Sequence, residues 1–222
     1  MTGDVFLDLV LSRAPAAARD WLLARSQTLG EDIAVAFAGC ARRLGAATLE
    51  PSASERAALA AAGLPAPEGW PLAAVARVAL LRLACEQLGA GAPELVEQLF
   101  RTGDNAERAA VLRALPILPE PERFVALAAD ACRSHVQSVF EAIACENPFP
   151  ARWFPELNFN QLVLKAFFVG VPVRRIEGLA ERRGPELVRM ALAYASERRA
   201  AGRPVPDDLE LVTGPAPRLP EN

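Results

Sequence analysis

The chain has almost no lysine and almost no histidine. Lys165 is the only lysine among 24 basic residues, and His135 is the only histidine. A single histidine excludes zinc sets that need two, and the four cysteines (Cys40, Cys85, Cys132, Cys145) stand far apart with no Cys-x-x-Cys pair. No metal site is expected, and four reduced, buried thiols are a better reading than disulfides. Aromatic residues make up only 6% and β-branched runs are nearly absent, which argues against a sheet. There is no Walker loop, dinucleotide fingerprint, Gly-x-Ser-x-Gly or His-Glu-x-x-His, so the common enzyme signatures are missing and no cofactor is implied.

Long hydrophobic runs are missing too. The most apolar stretch, residues 72–88, carries Arg77, Arg82 and Glu86 and is shorter than the ~20 apolar residues of a membrane span. The first apolar run holds Asp8, follows Asp4 and has no basic flank, so it does not read as a secretory signal. A net charge of -3 gives no general attraction to nucleic acid. These absences describe a soluble, cytoplasmic protein.

What is abundant is alanine and leucine, which favour helix. Caps, glycines and prolines predict helices over residues 4–13, 15–29, 32–44, 52–63, 72–88, 93–101, 105–115, 120–132, 134–145, 156–170 and 185–201, with a short piece over 173–179. Gly30 stops the second helix, and the prolines of 64–71 make a loop. Helix 72–88 is apolar nearly all round, which places it at the centre of the packing. The expected fold is all-α, an irregular array of antiparallel helix pairs with α-solenoid (HEAT/TPR-like) character and no sheet. Residues 1–202 read as one domain. Residues 203–222, with five prolines, read as an extended or disordered tail.

The densest aromatic and carboxamide cluster lies in residues 145–168, CENPFPARWFPELNFNQLVLKAFF. At 100° per residue, Asn158, Gln161 and Lys165 fall within about 60° of one another on the helix after Pro155. His135, Ser138, Glu141 and Cys145 share a face of about 120° on the preceding helix. Antiparallel packing would bring His135, Glu141 and Lys165 around a pocket rimmed by Asn147, Asn158 and Gln161. Histidine and glutamate suit general acid-base work, and lysine suits holding a phosphate or a carbonyl oxygen. The bland alternatives are that His135 and Glu141 are solvated, that the amides cap helix ends, and that Lys165 is an ordinary ion-pair partner. Residues 151–203 carry ten basic side chains against five acidic ones. That excess suits a phosphate, an acidic partner or a membrane surface, or is simply a solvated face.

Glu146-Asn147-Pro148, then Phe159-Asn160-Gln161 with Leu164-Lys165, then the Pro185-Glu186-Leu187 helix with Glu197-Arg198, make residues 140–205 resemble the C-terminal signature of EboA-domain proteins. The resemblance implies an accessory role in making or moving a prenylated or cyclitol-type small molecule toward the periplasm, beside partners such as a UbiA-like prenyltransferase. It singles out Asn147, Asn160, Gln161 and Lys165. Together with Glu146, Asn158 and Trp153 these are the expected ligand-binding residues. Lys165, Glu141 and His135 are the catalytic candidates if the protein is instead an enzyme on an isoprenoid or sugar-phosphate intermediate. Scaffolding, and peripheral contact with a membrane, are the remaining expectations.

Overall fold

The computed structural model describes residues 3–27, 33–64 and 69–214. The helices are α1 (Val5–Arg13), α2 (Ala16–Gln27), α3 (Ile33–Leu44), α4 (Ala53–Ala61), α5 (Leu72–Leu88), α6 (Ala92–Thr102) and α7 (Asn105–Ala114). They continue with α8 (Val125–Ala131), α9 (Gln137–Ala144), α10 (Phe149–Trp153), α11 (Glu156–Val169), α12 (Leu179–Arg182), α13 (Pro185–Ala200) and α14 (Glu210–Thr213). No strand occurs among the described residues; a single β-bridge joins Thr48 to Pro71. The predicted stop at Gly30, residues 65–68 of the proline loop and the tail beyond 214 lie outside the described residues.

α5 is the axis of the molecule. Twelve of its seventeen residues are buried, and it packs against α1, α3, α6 and α7. The one charge in its apolar interior is satisfied locally. Arg77 donates from Nε to the Phe37 carbonyl at 2.9 Å and lies 3.5 Å from Glu107. The N-termini of α4 and α7 are closed by capping boxes, Ser52 with Glu55 and Asp104 with Glu107, each satisfying two orphan N–H groups. Glu55 does a second job. Arg13, at the end of α1, holds both its oxygens at 2.9 and 2.7 Å.

Neighbouring helices do not all run antiparallel. α5 and α7 do, since Arg77 meets Glu107 at one end and Arg113 lies 4.5 Å over the Trp70 ring at the other. α11 and α13 run in the same direction. Gly184, before α13, lies beside Glu156 at the start of α11, and Tyr194 stacks on Phe167 near its end. The connection between them, residues 170–184, has to cross back the length of α11. Gly178 makes that crossing possible: its φ is +68°, and a Cβ there would sit 2.5 Å from that of Ala151.

Three local expectations need correction. The predicted helix 134–145 begins only at Gln137, because the Ser134 hydroxyl accepts from the Val136 N–H and sets a local turn instead. His135 therefore stands in a bend and not on a helix. The predicted helix 120–132 opens as a 3-10 turn, Pro121–Phe124, behind a left-handed Glu120. The tail is not extended up to 214. Asp207–Leu209 packs on Val173–Arg175 and α14 on α12 and α13, Leu209 and Val212 are buried, and Asp208 accepts from the Val173 N–H at 2.6 Å.

Two outcomes follow. Leu209→Ala lowers stability by about 2 kcal/mol or more in urea unfolding, whereas exposed Leu211→Ala stays within about 0.5 kcal/mol. Hydrogen bonding from Arg13, then from Ser52, pulls Glu55 from 4.5 to about 2. Because the folded value is the lower one, this contribution is complete above pH about 4.5 and is lost as pH falls toward 2. Acid titration of Glu55→Gln lacks that part of the stability loss.

Candidate functional site

The corner between α9 and α11 is built from Glu146 and Asn147. Glu146 takes a left-handed conformation, φ +47°. Such a position is costly for a residue with a Cβ and persists only where surroundings over-determine it. Here they do. The Glu146 carboxylate accepts from Arg175 Nε at 2.8 Å and Nη2 at 2.9 Å, and its N–H donates to the Arg175 carbonyl at 2.9 Å. The same guanidinium donates to Glu141 at 2.7 Å. Asn147 is 2% exposed. Its Nδ2 donates to the carbonyls of Leu112 and Ala142 at 3.1 and 2.8 Å, and its Oδ1 accepts from the Phe149 N–H at 3.0 Å. One amide thus ties α7, α9 and α10 together.

Aromatic packing holds α10 in place. Phe149 lies 5.0 Å from Trp153 and meets Phe154 edge-on at 6.0 Å. Arg182 donates to the Ala151 and Phe154 carbonyls at 2.6 and 2.7 Å, closing the C-terminal end of α10, and lies over the Phe159 ring. Trp153 is half-buried and belongs to this packing.

α11 starts after Pro155 and is stopped by Gly170 at φ +75°. The predicted stripe of Asn158, Gln161 and Lys165 is assembled. With Ala129, Cys132, Arg133, Phe154 and Leu162 these residues line a pocket of about 110 Å³ between α8 and α11. Lys165 Nζ donates to the carbonyls of Cys132 and Ser134 at 2.5 and 2.6 Å and sits 4.9 Å from the Phe140 ring centroid. This geometry accounts for a lysine in an arginine-rich chain: a compact ammonium reaches two carbonyls at one point, where a planar guanidinium spreads its donors. Burial pushes Lys165 below the ordinary lysine value.

The carboxamides divide sharply. Among the described residues neither Asn158, half-buried, nor Gln161, exposed, makes a side-chain hydrogen bond, so their donors and acceptors are free at the pocket. Asn160 is 1% exposed, and neither Oδ1 nor Nδ2 has a partner. By helical angle it shares a stripe with Glu156 and Phe167, the residues that touch α13.

The expected catalytic trio is not brought together. Glu141 faces Arg175 and Gln137. Burial alone would raise its carboxyl, but the bonds from Arg175 and Gln137 outweigh this and hold it below the ordinary range. His135 is exposed, and no ion pair joins Glu141 to Lys165. The four cysteines are free and buried, and burial pushes each thiol up to about 12. Arg133 is the charged pocket residue that sequence reasoning missed, along with Ala129, Cys132 and Leu162, and no sequence signal tied residues 129–133 to α11.

The molecule is thus an all-helical protein that exposes a small, donor-lined pocket between α8 and α11, and no helix among its described residues is long and apolar enough to cross a membrane. The chain belongs to the EboA family: the family model described as metabolite traffic protein EboA matches residues 8–213. No curated protein and no solved structure matches it. Metabolite handling is accordingly the role that family membership supports.

Asn147→Ala strands two carbonyls and an N–H in the interior, so urea unfolding shows a loss of about 2–4 kcal/mol. Asn158→Ala, which breaks no internal bond, changes stability by less than about 0.5 kcal/mol.

Proposed function

We propose that this protein is a cytoplasmic accessory factor that binds a small molecule of prenylated or cyclitol type on the outer face of α11 and helps pass it toward the periplasm. Partner enzymes such as a UbiA-like prenyltransferase would meet it at the same face. The observation that carries this reading is the pairing of free amides at Asn158 and Gln161 with Lys165 in one pocket. Next to that pocket on the helix wheel, Leu157 and Phe168 stand 60% and 76% exposed. A polar head at the pocket and an apolar body along the helix is what such a surface accommodates.

The alternative is an enzyme on an isoprenoid or sugar-phosphate intermediate. The separation of Glu141 and His135 from Lys165 supports binding over turnover. A purely scaffolding, solenoid-like array is the third reading, and the same-direction packing of α11 and α13 does not favour it. Exposed Phe168 and Val169, in a segment rich in arginine, support peripheral membrane contact during transfer.

Native mass spectrometry of the protein co-produced with the prenyltransferase and a sugar-phosphate cyclase tests the proposal. A bound small molecule is expected, and Gln161→Ala is expected to lose it while staying folded. Lys165→Ala is the poorer probe because it also removes two structural hydrogen bonds. A chain recovered without any bound molecule or partner, or a bound mass indifferent to Gln161→Ala, rejects the reading.

A further inference from the structure

We infer that the pocket between α8 and α11 selects an anionic head group of phosphate class, an inference that rests on the binding reading above and names the chemistry of its ligand. The lining holds two cationic side chains, Lys165 and Arg133, two carboxamides with no other partner, Asn158 and Gln161, and no carboxylate at all. Each of these four side chains carries N–H donors. Lys165 has three N–H groups and spends two on the Cys132 and Ser134 carbonyls, which leaves the third for a ligand.

Two opposing charges bear on this assignment. The first is the carbonyl end of α8, a local negative potential at the pocket. Lys165 is placed on it and offsets it. Asn158, by contrast, stands in the first turn of the fourteen-residue α11, the end of a helix that favours anions. The second is Asp130, which lies 3.3 Å from Arg133. Both side chains are about three-quarters exposed, so the pair is weak and the guanidinium is free to turn to a better acceptor.

Size narrows the ligand further. About 110 Å³ takes a phosphate or comparable group and leaves a larger body outside. The body then leaves the pocket along α11 toward exposed Phe168, one turn beyond Lys165 and beside the pocket stripe. The fitting ligand is an amphiphile with a phosphate-class anionic head and an apolar chain.

Calorimetric titration of the full chain with inorganic phosphate, n-octyl phosphate below its micelle concentration and n-octanol tests this. Octyl phosphate is expected to bind about tenfold or more tightly than octanol, since one charge-assisted bond is worth about that factor, and about tenfold or more tightly than inorganic phosphate, since burying about two methylenes is worth the same. The double variant Arg133→Gln/Asn158→Ala, which disturbs no buried bond, is expected to weaken octyl phosphate about tenfold and leave octanol unchanged. Phosphate binding as tightly as octyl phosphate would keep the anion site and overturn the apolar strip. Octanol binding as well as octyl phosphate would overturn the anionic head while leaving metabolite binding intact. Absence of octyl phosphate binding, or binding unaffected by the double variant, overturns the inference whatever native mass spectrometry finds.

Discussion

The C-terminal half depends on one arrangement, the clasp of Arg175 around Glu146. A left-handed glutamate has no reason to persist on its own, yet the chain must reverse there to bring α10 and α11 beneath α9. The bidentate ion pair and the reciprocal backbone bond hold it from two sides, and the Asn147 amide satisfies the backbone groups that the reversal uncovers. With the corner fixed, the α11 stripe falls opposite the end of α8, and Lys165 reaches the two carbonyls that complete the pocket. Positioning of the site is therefore polar at its joints, the Glu146 corner and the helix ends held by Arg182 and Lys165, and hydrophobic between them.

This also separates residues that one signature places side by side. Glu146 and Asn147 spend their hydrogen-bonding capacity inside the protein. Gln161, and Asn158 just outside that signature, spend none. Lys165 stands between, holding a helix end with two donors and keeping one in reserve. A family motif read as a unit hides that division, which only the partner of each polar atom reveals.

Much of the scaffold was legible because its causes are local. The all-round apolar character of α5 announced its central position, and the Ser52–Glu55 and Asp104–Glu107 pairs announced their helix starts. The pocket stripe was legible for the same reason, because helical spacing alone puts Asn158, Gln161 and Lys165 together. What escaped has long-range or competing causes. Ser134 diverts the backbone and takes His135 off the helix. Arg175 draws Glu141 away from Lys165 across 34 residues of sequence. The direction of α13 relative to α11 depends on the crossing at Gly178, and Leu209 and Val212 are too few to show an amphipathic period in a proline-rich segment.

The unpartnered Asn160 amide bears on how the molecule breathes. An interior carboxamide without partners forfeits about 1–3 kcal/mol relative to a satisfied one, and here the loss falls on the seam between α11 and α13. In α5 the comparable unmet atom is the Arg82 Nε–H, on a guanidinium that is otherwise paired with Asp4 and Glu86. Local opening is drawn from the least stable seams of a fold, and a loss placed here favours opening between α11 and the α13–α14 segment. Its detachment would expose Phe167 on the side of α11 opposite the pocket.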